Sequence, residues 1–220
     1  MREALQRETV GGTEPPLQHA VLHDISWATY EALLLDHLDS RWPRFVYDEG
    51  ILEIMTPSSK HDRIGMQVQK FVDVVIEEWG LDMVNEGHAT MRRRDLRKGF
   101  EADASIYIQN AHVVRPKEDI DLNIDPPPDL VIEIEVSRSA LDKLAIYARV
   151  GVSEVWRCDS KAAAFHILQG DRYQESSTSM VLPGVTTQVL LDFVNSSWEL
   201  TNTEWIRSVR KWARAQRFGQ

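Results

Sequence analysis

A mixed α/β sheet flanked by helices is the fold this sequence predicts, and three observations predict it. The run Leu130-Val131-Ile132-Glu133-Ile134-Glu135-Val136 is almost wholly apolar and follows Pro126-Pro127-Pro128-Asp129, as an interior strand does. Residues 59–79 place apolar side chains at a period near 3.6, as a long amphipathic helix does. Elsewhere short strand-like runs are interspersed with helical ones, the order of a sheet covered by helices.

The elements follow in chain order. Residues 1–16 hold Gly11-Gly12 and Pro15-Pro16 and read as a flexible arm, leaving 17–220 as a single domain. Ser26 is a candidate N-cap for a helix over 27–38, with Tyr30, Leu33, Leu34 and Leu38 inward. Phe45-Val46-Tyr47 and Ile51 to Met55 flank Asp48-Glu49-Gly50, a hairpin signal. The long helix is capped by Ser58 or Ser59 and turns Ile64, Gly65, Val68, Val72, Val75, Ile76 and Trp79 inward. Strands are expected at 82–91, 101–108 and 129–136. A helix over 139–150 is expected to bury Leu141, Leu144, Ala145 and Ala148, with Lys143 and Tyr147 on another face. Gly151 ends it. Strands at 152–158 and 163–168 come next, with an edge strand at 172–175, and the chain closes on a helix over 201–217.

Composition bounds the class. The chain has 220 residues, 43% of them apolar, enough for one core of ordinary size. No stretch nears the ~20 apolar residues that span a bilayer. The polar N-terminus lacks the apolar segment of a secretory signal. One cysteine, Cys158, excludes an intramolecular disulfide and fits a reducing, cytoplasmic setting; it reads as an inert core thiol. A net charge of -9 argues against a general nucleic-acid binder. Two basic segments run against that balance: Arg92 to Lys98, and the stretch with Arg207, Arg210, Lys211, Arg214 and Arg217.

The chemistry lies in the acidic pair. Side chains alternate along a strand, so Glu133 and Glu135 share a face and stand ~6.6 Å apart. Two carboxylates on an interior strand are costly without compensation, and a divalent cation supplies it. The upstream run from Phe100 to Ile108 alternates too, setting Glu101, Asp103, Ser105 and Tyr107 opposite Ala102, Ala104, Ile106 and Ile108. If the two strands are neighbours, Asp103 comes within reach of the pair across a ~4.8 Å spacing. Asp129, ~13 Å from Glu133 along the strand, is a poorer partner. The bland alternative is an acidic pocket neutralised by Arg or Lys. Lys143 either returns its ammonium to the carboxylates or is solvated. His61, at the start of the long helix, either contacts a phosphate or metal, caps the apolar stripe, or is exposed. Glu53 is a weaker candidate for the same site.

An Asp, then a strand bearing Glu-x-acid, then a helix with Lys, resembles the PD-(D/E)XK nuclease superfamily. Within it, the chain is similar to the restriction-endonuclease-like family abundant in cyanobacteria. The similarity runs over roughly 20–195, through Tyr47-Asp48-Glu49-Gly50-Ile51-Leu52-Glu53, His61, Glu101-Ala102-Asp103, Pro128-Asp129 to Glu135, Lys143 to Tyr147, and Gly151 to Arg157. Two departures stand out: Ala102 replaces a common proline, and Glu135 sits at the superfamily's Lys position. The resemblance implies a restriction-endonuclease-like core that hydrolyses DNA with Mg²⁺ (or Mn²⁺). Asp103, Glu133 and Glu135 would then be metal ligands, and Lys143, displaced onto the helix, and His61 would be catalytic.

A nuclease-like fold without turnover, binding nucleic acid or protein, is the alternative that Glu135 and the negative charge keep open. A homodimer is also expected, because cutting two strands suits two sites. The late apolar stripe of Trp205, Val209 and Trp212 either offers a contact surface for it or packs onto the chain's own core.

Overall fold

The computed structural model describes residues 18–37, 40, 42–135, 139 and 141–217. The expected arm at 1–16, Leu38, Val136 and the side chain of Arg217 lie outside the described residues. The expected class holds, with the strands divided between two sheets rather than gathered into one.

The first sheet has five strands: β1 (Gln18–Leu22), β2 (Arg44–Asp48), β3 (Ile51–Thr56), β5 (Met91–Arg93) and β6 (Lys98–Phe100), in the order β1-β3-β2-β6-β5. The second has six: β4 (Val84–Asn85), β7 (Ala104–Tyr107), β8 (Leu130–Ile134), β9 (Glu154–Cys158), β10 (Ala163–Gln169) and β11 (Arg172–Ser176), in the order β11-β10-β9-β8-β7-β4. It is mixed, because β8 and β9 run parallel while β7 and β8 run antiparallel. A parallel neighbour needs a crossover, and α4 (Lys143–Val150) supplies it.

The remaining helices are α1 (Trp27–Asp36), α2 (Ser59–Trp79), α3 (Ala111–Val114), α5 (Thr187–Ser196) and α6 (Asn202–Arg217). The long helix has the expected span and the Ser58 cap, whose Oγ accepts from the His61 amide. The hairpin turns where expected, with Glu49 at φ 47° and Gly50 at φ 105°. Several elements differ from expectation. The strand expected at 82–91 is only Val84–Asn85, and β5 begins at Met91. The strand expected at 101–108 begins only at Ala104, so alternation breaks and Ala102 packs with Val46 and Tyr107 instead of with Ala104. The helix expected from 139 begins at Lys143, with the Asp142 carboxylate accepting from the Ala145 amide. Helix α5 was not foreseen.

Alternation in β8 gives each sheet face its own core. Leu130, Ile132 and Ile134 pack with the apolar stripe of α2 and with α5 and α6, while Val131 packs with Tyr107, Ile146, Tyr147 and Val155. The fully buried residues of α4 are therefore Ile146, Tyr147 and Val150; of those expected inward, Leu141 and Leu144 are half-buried against the same core and Ala145 is exposed. Tyr147 turns inward: its ring meets Phe100 edge-on at 4.7 Å while its hydroxyl reaches Glu133. Helix α2 packs directly on β8 at Gly65, where a Cβ would lie in ordinary contact, 3.5 Å from Ile134 Cγ1. That packing carries the start of α2, with His61, over the acidic strand.

The late apolar stripe is consumed within the chain. Trp205, Val209 and Ala213 of α6 are buried against the α2 core, and Trp212 packs against Phe71, Trp79 and Phe193. Arg210 and Arg214 pair with Glu77 and Glu78 of α2. The expected subunit contact on this stripe is thus corrected: α2 is what it covers. Among the described residues, no helix is long and apolar enough to cross a membrane.

Candidate active site

Asp103 and Glu133 are brought together by sheet register. Ala104 of β7 faces Ile132 of β8, and the Asp103 amide donates to the Ile132 carbonyl at 3.1 Å, which makes Asp103 and Glu133 the next pair outward. Cross-strand neighbours share a face. Both side chains are buried.

Each carboxylate is held by cations and donors. Arg44, at the start of β2, forms an ion pair with Asp103 Oδ1. The Ile134 amide donates to Asp103 Oδ2 at 2.7 Å, and His61 Nε2 lies 3.2 Å from the same oxygen. Burial alone would raise the Asp103 carboxyl, but the His61 hydrogen bond and the charges of Arg44, His61 and Lys143 outweigh it and hold it well below the usual carboxylate range. On Glu133, Lys143 Nζ donates to Oε2 at 2.8 Å and the Tyr147 hydroxyl donates to Oε1. Burial opposes the charged form of Lys143, yet Glu133 and Asp103 together leave its pKa raised. Burial first, then the Glu133 charge, push the Tyr147 phenol up as well.

The other expected residues fall out differently. His61 is buried and touches Asp103, with Nδ1 3.5 Å from Asp62 Oδ1. Glu135 lies past the end of β8, its side chain 42% exposed and paired with Arg157. It lines the same cavity of about 200 Å³ as Glu133, Lys143 and Tyr147, whereas Asp103 lines a neighbouring one with Arg44 and His61. Glu53, ranked lower from sequence, is buried beside them and accepts from the Ser139 hydroxyl and, at 3.3 Å, from the Leu141 amide. Asp129 serves the backbone: its carboxylate accepts from the amides of Ile108 and Asn110 at 2.7 and 3.1 Å.

Arg44 was missed. Its partner is 59 residues away in sequence, so only the fold reveals the pair. Tyr147 had a local signal, four residues after Lys143, which places both on one helix face.

The donor set suits a hard divalent cation. Mg²⁺ keeps several waters and takes only one or two protein carboxylates, and Asp103, just before β7, with Glu133 of β8 offers two. The positive charge such a pair requires is supplied here by Arg44 and Lys143. Among the described residues, no group of three His, Cys, Asp or Glu side chains is arranged to hold a metal ion, and Glu135 is paired with Arg157.

A mixed sheet with helices on both faces, carrying Asp just before one strand, Glu on the next and Lys on the following helix, belongs to the restriction-endonuclease-like superfamily. The match extends over residues 27–203 to the family Uma2, described as "Putative restriction endonuclease", and the chain belongs to that family. Among solved structures, a protein from Anabaena variabilis described as "a putative nuclease belonging to DUF820" is similar in fold. Its TM-score is 0.51 at 16% identity, over 69% of this chain and 92% of that one. No curated protein matches the chain.

Proposed function

We propose that the protein is a divalent-metal-dependent endonuclease that hydrolyses phosphodiester bonds of DNA. The observation that carries this reading is Lys143, whose ammonium meets Glu133 at 2.8 Å beside Asp103, although position 135 holds no Lys. Family membership supports nuclease character, and enzymes of this superfamily generally use divalent metals.

Asp103 and Glu133 would hold Mg²⁺ (or Mn²⁺), which supplies an activated water and neutralises charge on the phosphate. Arg44, His61 and the Ile134 amide fix the Asp103 carboxylate. Tyr147 fixes one oxygen of Glu133. Lys143, with three N–H donors, orients the attacking water or stabilises charge on the phosphate oxygens. Water's oxygen bonds to phosphorus as the P–O ester bond breaks, leaving a phosphomonoester and an alcohol. Glu135, with Arg157, stands at the cavity mouth and takes a lesser part than a direct ligand. A homodimer stays within the proposal, with its contact elsewhere than the Trp205–Trp212 stripe. Cys158, a single buried thiol, is in keeping with a cytoplasmic setting.

Cleavage of supercoiled plasmid with Mg²⁺ or Mn²⁺ tests this. The wild type should nick or linearise it, and Asp103→Asn and Glu133→Gln should fall to background while keeping the native circular dichroism. Equal cutting by both variants would overturn the assignment.

One observation favours a second reading, a binding module without turnover. Arg44 and Lys143 already neutralise both carboxylates, the bland alternative of an ion-paired acidic pocket. A wild type that binds DNA under Mn²⁺ but never cuts it would select this reading.

A further inference from the structure

A second cavity, of about 320 Å³, opens against the active site and is absorbed by none of the chemistry above. It lies between α1 and the edge of the first sheet. Arg44 and His88 line both this cavity and the one that holds Asp103, so the two are neighbours.

Its walls combine flat and polar surfaces. His88 contributes a ring, and Leu35, 64% exposed, adds apolar surface at the rim. Trp42 backs Arg44, whose guanidinium carbon lies 4.9 Å from the ring centre. Opposite stands Glu101, one carboxylate oxygen accepting from the Thr90 hydroxyl at 2.6 Å and the other from the Phe45 amide at 2.9 Å. Each oxygen has two lone pairs, so each can take one more donor. Arg44 Nε is buried and has no hydrogen-bond partner. Arg92 stands exposed among the lining residues.

This is the composition of a site for a planar heterocycle on an anionic backbone. Rings and apolar groups stack on a base, a carboxylate accepts from its exocyclic amine, and arginines favour the phosphate. We propose that this cavity is a subsite for one unpaired, amine-bearing nucleobase next to the phosphate that is cut. The reacting strand is then single-stranded or locally opened, because a paired base inside a duplex cannot enter a cavity. The inference rests on the nuclease reading and deepens it.

Two measurements separate the inference from that reading. In the first, deoxyadenosine monophosphate and deoxyribose 5-phosphate are titrated in EDTA and followed by amide chemical shifts. The nucleotide should perturb Leu35, Ala89, Thr90 and Glu101, and the sugar phosphate should not. Leu35→Glu, an exposed change at the rim, should weaken nucleotide binding at least tenfold with the melting temperature unchanged, and Glu101→Gln should weaken it as well. Shifts confined to other surfaces, or equal affinity in Leu35→Glu, would overturn the subsite. In the second, an oligonucleotide with an unpaired stretch and its full duplex are cut under Mn²⁺. The unpaired site should be cut faster, and Leu35→Glu should erase the preference. Equal cutting of both by the wild type removes the inference and leaves the nuclease reading standing. A protein that cuts neither removes the nuclease reading, and the titration still decides the cavity.

Discussion

Lys143 and Glu133, ten residues apart in sequence, meet at 2.8 Å where α4 folds back onto β8. Both are largely buried, so the pair is more than a surface ion pair. Replacing one partner leaves the other charge without its match, at a cost of about 3–5 kcal/mol. Lys143→Met should therefore lower stability in urea by roughly 3 kcal/mol. Added Mn²⁺ should restore part of the loss, because a cation at Glu133 replaces the missing ammonium. No loss of stability would show that the pair is well solvated.

Glu154 is fully buried and accepts from the Trp156 indole at 2.5 Å and from the amides of Met180 and Val181 at 2.8 Å. Each donor left unsatisfied costs about 1–3 kcal/mol. Glu154→Ala should thus destabilise by about 3 kcal/mol or more. Glu154→Gln, which retains one acceptor oxygen, should cost less. Chemical denaturation followed by tryptophan fluorescence measures both.

Helix α6 is a structural element and not a detachable arm. Trp205 is 1% exposed and donates its indole N–H to the Phe193 carbonyl at 2.7 Å. Trp205→Ala should cost about 3–5 kcal/mol. A chain ended after Leu200 should lack a cooperative unfolding transition, since Phe71 and Val75 of α2 lose their cover. A truncated chain that keeps its melting temperature and changes only its mass in sedimentation would return the stripe to a subunit contact.

Burial, and then the Asp103 charge, push the Cys158 thiol far above its ordinary range. A thiol that stays protonated and covered is a poor nucleophile. Labelling with a disulfide reagent at neutral pH should be slow in the native protein and fast in denaturant. Prompt native labelling would mean that β9 opens readily.

The sequence made the long helix legible because its period and its cap agree: Ser58 and the apolar stripe both mark Ser59–Trp79. The hairpin was legible because Asp48-Glu49-Gly50 supplies the turn. The orientation of α4 was only partly so, because Ala145 is apolar like the face that is buried, and Tyr147 turns inward to reach Glu133 across a tertiary contact. Helix α6 carries a capping box, with Glu204 and Thr201 exchanging hydrogen bonds at 3.0 and 3.4 Å, which marks its start more sharply than the tryptophan spacing does. In the site, Asp103, Glu133 and Lys143 could be named from strand alternation and resemblance. Arg44 could not, because a strand arginine carries no sign of a partner 59 residues on. Glu135 shows the limit of alternation: β8 ends at Ile134, and one residue further the face is no longer fixed.

The central claim is that Asp103 and Glu133 together hold a divalent cation. Titration of Mn²⁺ into the protein, with free Mn²⁺ read by electron paramagnetic resonance, tests it most directly. The predicted result is one bound Mn²⁺ per chain in the wild type, lost in both Asp103→Asn and Glu133→Gln. A wild type that binds none, or two variants that bind as tightly as the wild type, would contradict it.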